Sequence, residues 1–134
     1  MIYNAQAVDK KIVYPELSYK VVGCLFEVYN GLGGGHQEKV YQRATAQVLR
    51  KSDLHFEEQA PYQIRFQGSI VGRYYMDFIV ERKIVLEIKR GNHFVKNNIK
   101  QVEGYLKVMR MQLGILANFT NLNVTYSAGI IWIN

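Results

Sequence analysis

Two short apolar stretches, Tyr74–Val80 and Ile84–Lys89, are separated by only three residues, Glu81-Arg82-Lys83. Stretches of that length joined so tightly read as the arms of one β-hairpin. A three-residue turn pairs Val80 with Ile84, and counting back along both arms sets Asp77 opposite Glu87. Directly opposed residues have Cβ atoms roughly 4.5–5.5 Å apart, where like charges are destabilising. Something positive is therefore expected between the two acids. Alternation puts Asp77 on a face with Tyr75 and Ile79, and Glu87 with Val85 and Lys89, while Ile84, Leu86 and Ile88 point the other way. A one-residue change in the turn would separate the carboxylates onto opposite faces.

Two acidic side chains with a lysine two residues on suit a hard divalent cation, Mg²⁺ or Mn²⁺, with the Ile88 carbonyl as a further oxygen. Such an ion supplies polarisation of a phosphoryl oxygen and a more acidic bound water. Lys89 would sit beside that water and stabilise charge developing on phosphorus. The competing reading is an edge hairpin whose Glu87–Lys89 or Asp77–Lys89 ion pair lies at the surface.

The rest of the chain frames this hairpin. With 134 residues it is expected to form one domain, 1–134, in which residues 1–14 carry no clear period and form a loosely held arm. Pro15 suits the first turn of a helix, and Leu17, Val21, Cys24, Leu25 and Val28 follow at helical spacing. That helix ends near Asn30-Gly31. The glycine-rich run Gly31–Gly35 lacks a preceding strand and a Gly-Lys-Ser/Thr ending, so it reads as a flexible turn rather than a phosphate loop. A second helix, about Gln37 to Lys51, carries Val40, Tyr41, Ala44, Val48 and Leu49 as its apolar stripe. Glu38 lies at the edge of that stripe, where an acid costs stability unless something pairs with it; complementarity to the helix dipole is the alternative.

From His55 the period changes to two. Strands are predicted over Phe56–Gln59, Tyr62–Phe66, Ile70–Val80 and Ile84–Lys89. A helix over Val95–Arg110 follows, with Ile99, Val102, Leu106 and Met109 on one face and Gln101 and Tyr105, four apart, on a neighbouring one. Gly114 marks the exit into two closing strands, Ile115–Phe119 and Val124–Trp132.

Composition limits the functional classes. A net charge of +6 and a pI near 9.4 suit a chain that meets a polyanion, and the excess lies largely after residue 80. The single cysteine, Cys24, excludes an internal disulfide and a multi-thiolate zinc site, and sits among apolar residues as a small buried side chain. His36, His55 and His93 fit no zinc spacing. No secretory signal and no apolar run of membrane-spanning length is present, so a cytoplasmic setting without a membrane partner is expected.

Taken together, Asp77, Glu87-Ile88-Lys89 and Gln101-x-x-x-Tyr105 resemble the motifs of the PD-(D/E)XK nuclease superfamily, including the Gln-x-x-x-Tyr helix of its exonuclease-like branch. Gly35-His36-Gln37-Glu38-Lys39-Val40-Tyr41 matches Gly-x-x-Glu-x-x-Tyr, the signature of the bacterial GxxExxY family of that superfamily, with Glu27-Val28-Tyr29 and Gly31-Leu32-Gly33 before it. The resemblance covers about Leu17 to Phe119. It implies a mixed α/β fold with a restriction-endonuclease-like core, a mixed sheet flanked by helices and carrying the acids on a central hairpin. It further implies Asp77 and Glu87 as metal ligands, Lys89 as the catalytic lysine and Glu38 as an additional carboxylate near the metal. Gln101 and Tyr105 would line the site and help hold the phosphate backbone or the water. Met76 stands where the superfamily name has proline.

Three functions follow from these residues. The first is a Mg²⁺-dependent nuclease hydrolysing phosphodiester bonds, with DNA preferred over RNA. The second is a nucleic-acid-binding or protein-interaction module that has kept the scaffold without turnover, using the basic segment Arg82–Arg110. The third is an assembly role, with a homodimer formed through an exposed sheet edge.

Overall fold

Pro15 opens the first helix, α1 (Pro15–Leu32), at a position where its missing N–H would have no partner anyway. The computed structural model describes residues 2–3, 13–91, 96–121 and 124–130. Along α1 the buried side chains Val21, Cys24, Leu25 and Val28 recur at the predicted spacing. The second helix, α2 (Glu38–Lys51), has its acid in the first turn and Arg50 and Lys51 in the last, each sign matching the helix dipole. It buries Tyr41, Thr45, Ala46 and Leu49.

The strands are β1 (Ile2–Tyr3), β2 (Phe56–Phe66), β3 (Ser69–Val80), β4 (Ile84–Arg90), β5 (Leu113–Phe119) and β6 (Val124–Ile130), with α3 (Lys96–Met109) between β4 and β5. They form one sheet in the order β1-β6-β5-β4-β3-β2. The β1–β6 and β4–β5 pairs are parallel and the other three antiparallel, so the sheet is mixed and the protein is mixed α/β, as expected. A parallel β4–β5 pair needs a crossover, which α3 provides. Every residue of β5 and residues 84–88 of β4 are buried, as central strands covered on both faces must be. On one face Phe78, Val80, Ile84, Leu86, Ile88, Ile115, Ala117 and Phe119 pack with α1 and α2. On the other, Ala60, Tyr62, Met76, Ile79 and Val85 pack with Val102, Tyr105 and Leu106 of α3.

Four expectations are corrected. Phe56–Gln59 and Tyr62–Phe66 are one strand, because β2 lies at the sheet edge, where Pro61 needs no ladder hydrogen bond. Gly114 lies inside β5, not before it. A Cβ there would come within 2.5 Å of Val102 Cγ1, so the glycine lets α3 settle directly on the strand. Within the supposed arm, Ile2 and Tyr3 pair in parallel with Tyr126 and Ser127 of β6; Trp132 lies outside the described residues.

The glycine-rich connection is the fourth. It is fastened, not loose: the Tyr41 hydroxyl donates to the Gly33 carbonyl at 2.7 Å and accepts the His36 N–H at 3.2 Å. A Cβ on Gly34 would lie 2.6 Å from Asn121 Cα and from the Thr120 carbonyl oxygen, so only glycine fits against the β5–β6 connection.

Candidate active site

The hairpin closes in the predicted register: Val80 pairs with Ile84, Ile79 with Val85 and Phe78 with Leu86. Glu81 and Arg82 both adopt positive φ, 53° and 55°, a conformation that glycine or asparagine usually supplies. Glu81 is held there by His55. Its N–H donates to the His55 carbonyl at 2.8 Å, and its Oε2 accepts the His55 N–H at 2.7 Å.

Beyond Phe78 and Leu86 the ladder between β3 and β4 stops, while β3 continues beside β2 and β4 beside β5. The sheet splits at Asp77 and Glu87, and the two acids take over the hydrogen bonding. The Asp77 N–H donates to Glu87 Oε1 at 2.9 Å, and the Ile88 N–H donates to Asp77 Oδ2 at 2.8 Å. Each bond gives a buried carboxyl oxygen a backbone N–H partner. They offset part of the cost of two acids that are only 6% and 5% exposed.

Strict alternation along β3 does not survive this point. Met76 and Ile79, three apart, both pack on the α3 side, whereas Phe78 packs on the α1/α2 side. Asp77 Oδ1 accepts a 3.1 Å bond from Gln42 Nε2 of α2, so Asp77 and Phe78 lie consecutively on that side. Facing Asp77 across the sheet, Gln59 breaks β2 with a φ of 53°, and its Nε2 reaches Asp77 Oδ1 at 3.5 Å. A kink of this sort re-aims a side chain. The consequence is an aspartate turned toward α2 rather than toward Ile79.

The acids hold protons tightly. Burial, and then the Asp77 charge, push the Glu87 carboxyl up to about 8 from its ordinary 4.5. Burial also raises Asp77, with Glu38 adding to the shift and the Ile88 N–H and Lys89 opposing it. The expected positive charge is Lys89: its Nζ lies 3.9 Å from Glu87 Oε2 and 3.8 Å from Glu38 Oε2.

Glu38 reaches this ammonium because α2 begins at it, and the start of α2 is set by the same loop that Tyr41 clamps. Gly35 takes a φ of 89°, and the His36 ring bonds the Leu32 carbonyl at 3.0 Å, so the chain turns sharply between α1 and Glu38. Tyr41 is fully buried and stacks on Phe119 with centroids 4.3 Å apart. Gly35, Glu38 and Tyr41 thus share one local job: turn, acid and anchor.

Glu38, Asp77, Glu87, Lys89 and the Ile88 backbone therefore converge, the last through its N–H. Gln101 and Tyr105 do not join them: among the described residues no hydrogen bond links either to the acids. Tyr105 is 2% exposed and packs edge-to-face on Tyr62 at 5.4 Å, so its ring supports the α3-side core. Gln101 is half-buried on the same helix. Sequence reasoning missed Gln42 and Gln59. Gln42 was findable, since it stands four residues after Glu38 on one helix face; Gln59 depends on a backbone kink that has no sequence signature.

Among the described residues no group of three His, Cys, Asp or Glu side chains forms a ready metal cage. The donor set nevertheless fits a hard cation. Asp77, Glu87 and Glu38 offer carboxylate oxygens, and a carboxyl driven to about 8 marks a place where added positive charge is favoured. No helix among the described residues is long and apolar enough to cross a membrane.

Comparisons with known proteins bear on the fold and the family. No curated protein matches the chain. Its fold is similar to that of the crystal structure of SSO0001, with a TM-score of 0.58 and 18% identity over 72% of this chain. The matched region spans 50% of the SSO0001 chain, and at that identity the likeness concerns the fold alone. Residues 15–129, which include both arms of the hairpin, α2 and α3, match the PD-(D/E)XK nuclease superfamily, and the chain belongs to that superfamily.

Proposed function

We propose that this protein is a metal-dependent nuclease of the GxxExxY family that hydrolyses phosphodiester bonds of DNA, with the whole chain serving as one nuclease-like domain. The superfamily is typically metal-dependent. The observation that carries the reading is the Asp77–Glu87 pair, buried where the sheet splits, with the Lys89 ammonium between Glu87 and Glu38.

In this reading Asp77, Glu87 and Glu38, with the Ile88 carbonyl, hold Mg²⁺ or Mn²⁺. The ion supplies Lewis acidity toward a phosphoryl oxygen and a more acidic water. Gln42 and Gln59 fix the Asp77 carboxylate by donating to Oδ1. Lys89 orients the attacking water and stabilises charge developing on phosphorus, a contribution of about 3 kcal/mol for one well-placed donor. Gln101 contacts the DNA backbone, and Tyr105 has a positioning part, holding α3 against Tyr62.

The test is cleavage of labelled single- and double-stranded DNA with Mg²⁺ or Mn²⁺ against chelator, for wild type, Asp77→Asn and Lys89→Ala. Cleavage that needs the metal and disappears in both variants supports the reading. Equal cleavage by a purified variant carrying both Asp77→Asn and Lys89→Ala contradicts it, and salt-sensitive DNA binding without turnover would assign the protein to a silent binding module.

A further inference from the structure

We infer that the part of the β2–β3 hairpin beyond the acids is a track for single-stranded DNA, with Tyr75 stacking a base next to the acid pair and Arg73 and Arg65 contacting phosphates. The inference rests on the nuclease reading of the Asp77 and Glu87 site and names the strand form that enters it.

The kink at Asp77 is the starting point. Because Asp77 is turned to the α2 side, the residues at two-residue steps before it, Tyr75 and Arg73, share its face. Tyr75 stands opposite Pro61 and Arg73 opposite Gln63. Arg65 belongs to the same face, since its Nη2 donates to Gln63 Oε1 at 3.3 Å. All five of these side chains are exposed, whereas Ala60, Tyr62 and Met76 on the opposite face are buried beneath α3. Ala60, Tyr62 and Met76 are therefore spent on the core, while Tyr75 and Arg73 lead from the acids into solvent; Pro61, Gln63 and Arg65 on the edge strand also line a hollow with Val108 and Met109 of α3.

The chemistry of that open face suits one ligand class. Tyr75 is 52% exposed and makes no ring contact or side-chain hydrogen bond among the described residues. Between Ala60 and Met76 the only charged residues are Arg65 and Arg73, so that stretch of the hairpin carries no acid. Two residues of strand advance about 7 Å, comparable to an extended nucleotide, so Tyr75 and Arg73 can meet successive units of one strand. Aromatic platforms interleaved with cations are how single strands are held without sequence preference. A base inside a duplex is already stacked on its neighbours, and only an unpaired one is free for the Tyr75 ring.

The experiment measures anisotropy of a labelled oligothymidylate and of a blunt duplex of equal length, in chelator so that neither is cut. Tyr75→Ala should weaken single-strand binding roughly tenfold, Tyr75→Trp should restore it, and duplex binding should be unchanged. Arg73→Ala and Arg65→Ala should each reduce the dependence of log affinity on log salt by about 0.7. Tyr19→Ala, at a site 82% exposed on α1, should change nothing. Circular dichroism confirms that each variant is folded.

No effect of Tyr75→Ala, equal loss on both DNA forms, or absence of single-strand binding by wild type overturns the inference. So does loss of self-association in Tyr75→Ala with DNA binding intact, which would assign the face to a second copy of the chain. The two readings fail separately. If Asp77→Asn abolishes cleavage but Tyr75→Ala changes neither binding nor cleavage, the track is wrong and the nuclease stands. If wild type binds through Tyr75 but never cleaves, the reverse holds.

Discussion

The Asp77 N–H donates to the Glu87 carboxylate at 2.9 Å, and the residue after Glu87 returns the bond by donating its own N–H to Asp77 Oδ2. Two acids that should repel instead serve as backbone acceptors at the point where β3 and β4 part. Their side chains do what the missing ladder would have done, since buried backbone N–H groups must find a partner. The arrangement fixes both carboxylates without any ligand, and its cost appears in their protonation.

That cost makes stability fall as pH rises. A carboxyl with a folded value of about 8 against an ordinary 4.5 keeps its proton in the folded state after the unfolded chain has lost it. Between those values the unfolded state binds fewer protons, so the folding free energy declines with pH and levels off above about 8. Denaturant titrations of metal-free protein across this window should show the decline. Glu87→Gln should flatten it.

Glu87→Gln and Glu87→Ala should differ in stability. Glutamine keeps an acceptor oxygen for the Asp77 N–H and spares the proton that Glu87 must take up on folding at neutral pH, so it should be neutral or stabilising. Alanine leaves that N–H unsatisfied and opens a void, and should cost about 1–3 kcal/mol for the orphaned donor alone. Urea unfolding of the two variants at neutral pH measures the difference.

Lys89 is the counter-charge of the cluster, so Lys89→Met should raise the protonation of Asp77 and Glu87 further. Cleavage should fall by about two orders of magnitude, the effect of losing one electrostatic donor. Because Glu38 meets the same ammonium, Glu38→Gln in the Lys89→Met background should lose less than in wild type. A double-variant cycle on the cleavage rate checks both statements.

Tyr41→Phe removes one hydroxyl that ties Gly33 to His36. About 1–3 kcal/mol of stability should be lost, because the Gly33 carbonyl and His36 N–H lose a shared partner while the ring stack on Phe119 remains. Thermal unfolding measures the loss. A fall in cleavage larger than that of the remote Gly114→Ala, matched for stability, would show that the loop also positions Glu38.

Much of this was legible from residues 74–89. The register of the hairpin followed from apolar run lengths and a three-residue turn, and it placed Asp77 opposite Glu87. Helix positions followed from spacing and from Pro15. What escaped the sequence was set by tertiary contact. The change of face at Asp77 coincides with the left-handed Gln59 on another strand, so simple alternation wrongly grouped Asp77 with Ile79. Gly114 looked like punctuation because its role, the close approach of Val102, lies on a helix. Tyr105 matched a motif spacing, yet only packing reveals that its ring lies against Tyr62.

The central claim is that Asp77 and Glu87 form a cation site, and magnesium-dependent thermal stability tests it most directly. Calorimetric unfolding of wild type and Asp77→Asn would be followed over a Mg²⁺ series at a pH above the Glu87 value of about 8, where Glu87 is ionised. The account predicts that Tm rises with Mg²⁺ in wild type, following mass action on the folded state, and stays flat in Asp77→Asn. An equal rise in both proteins, or none in wild type, would contradict it.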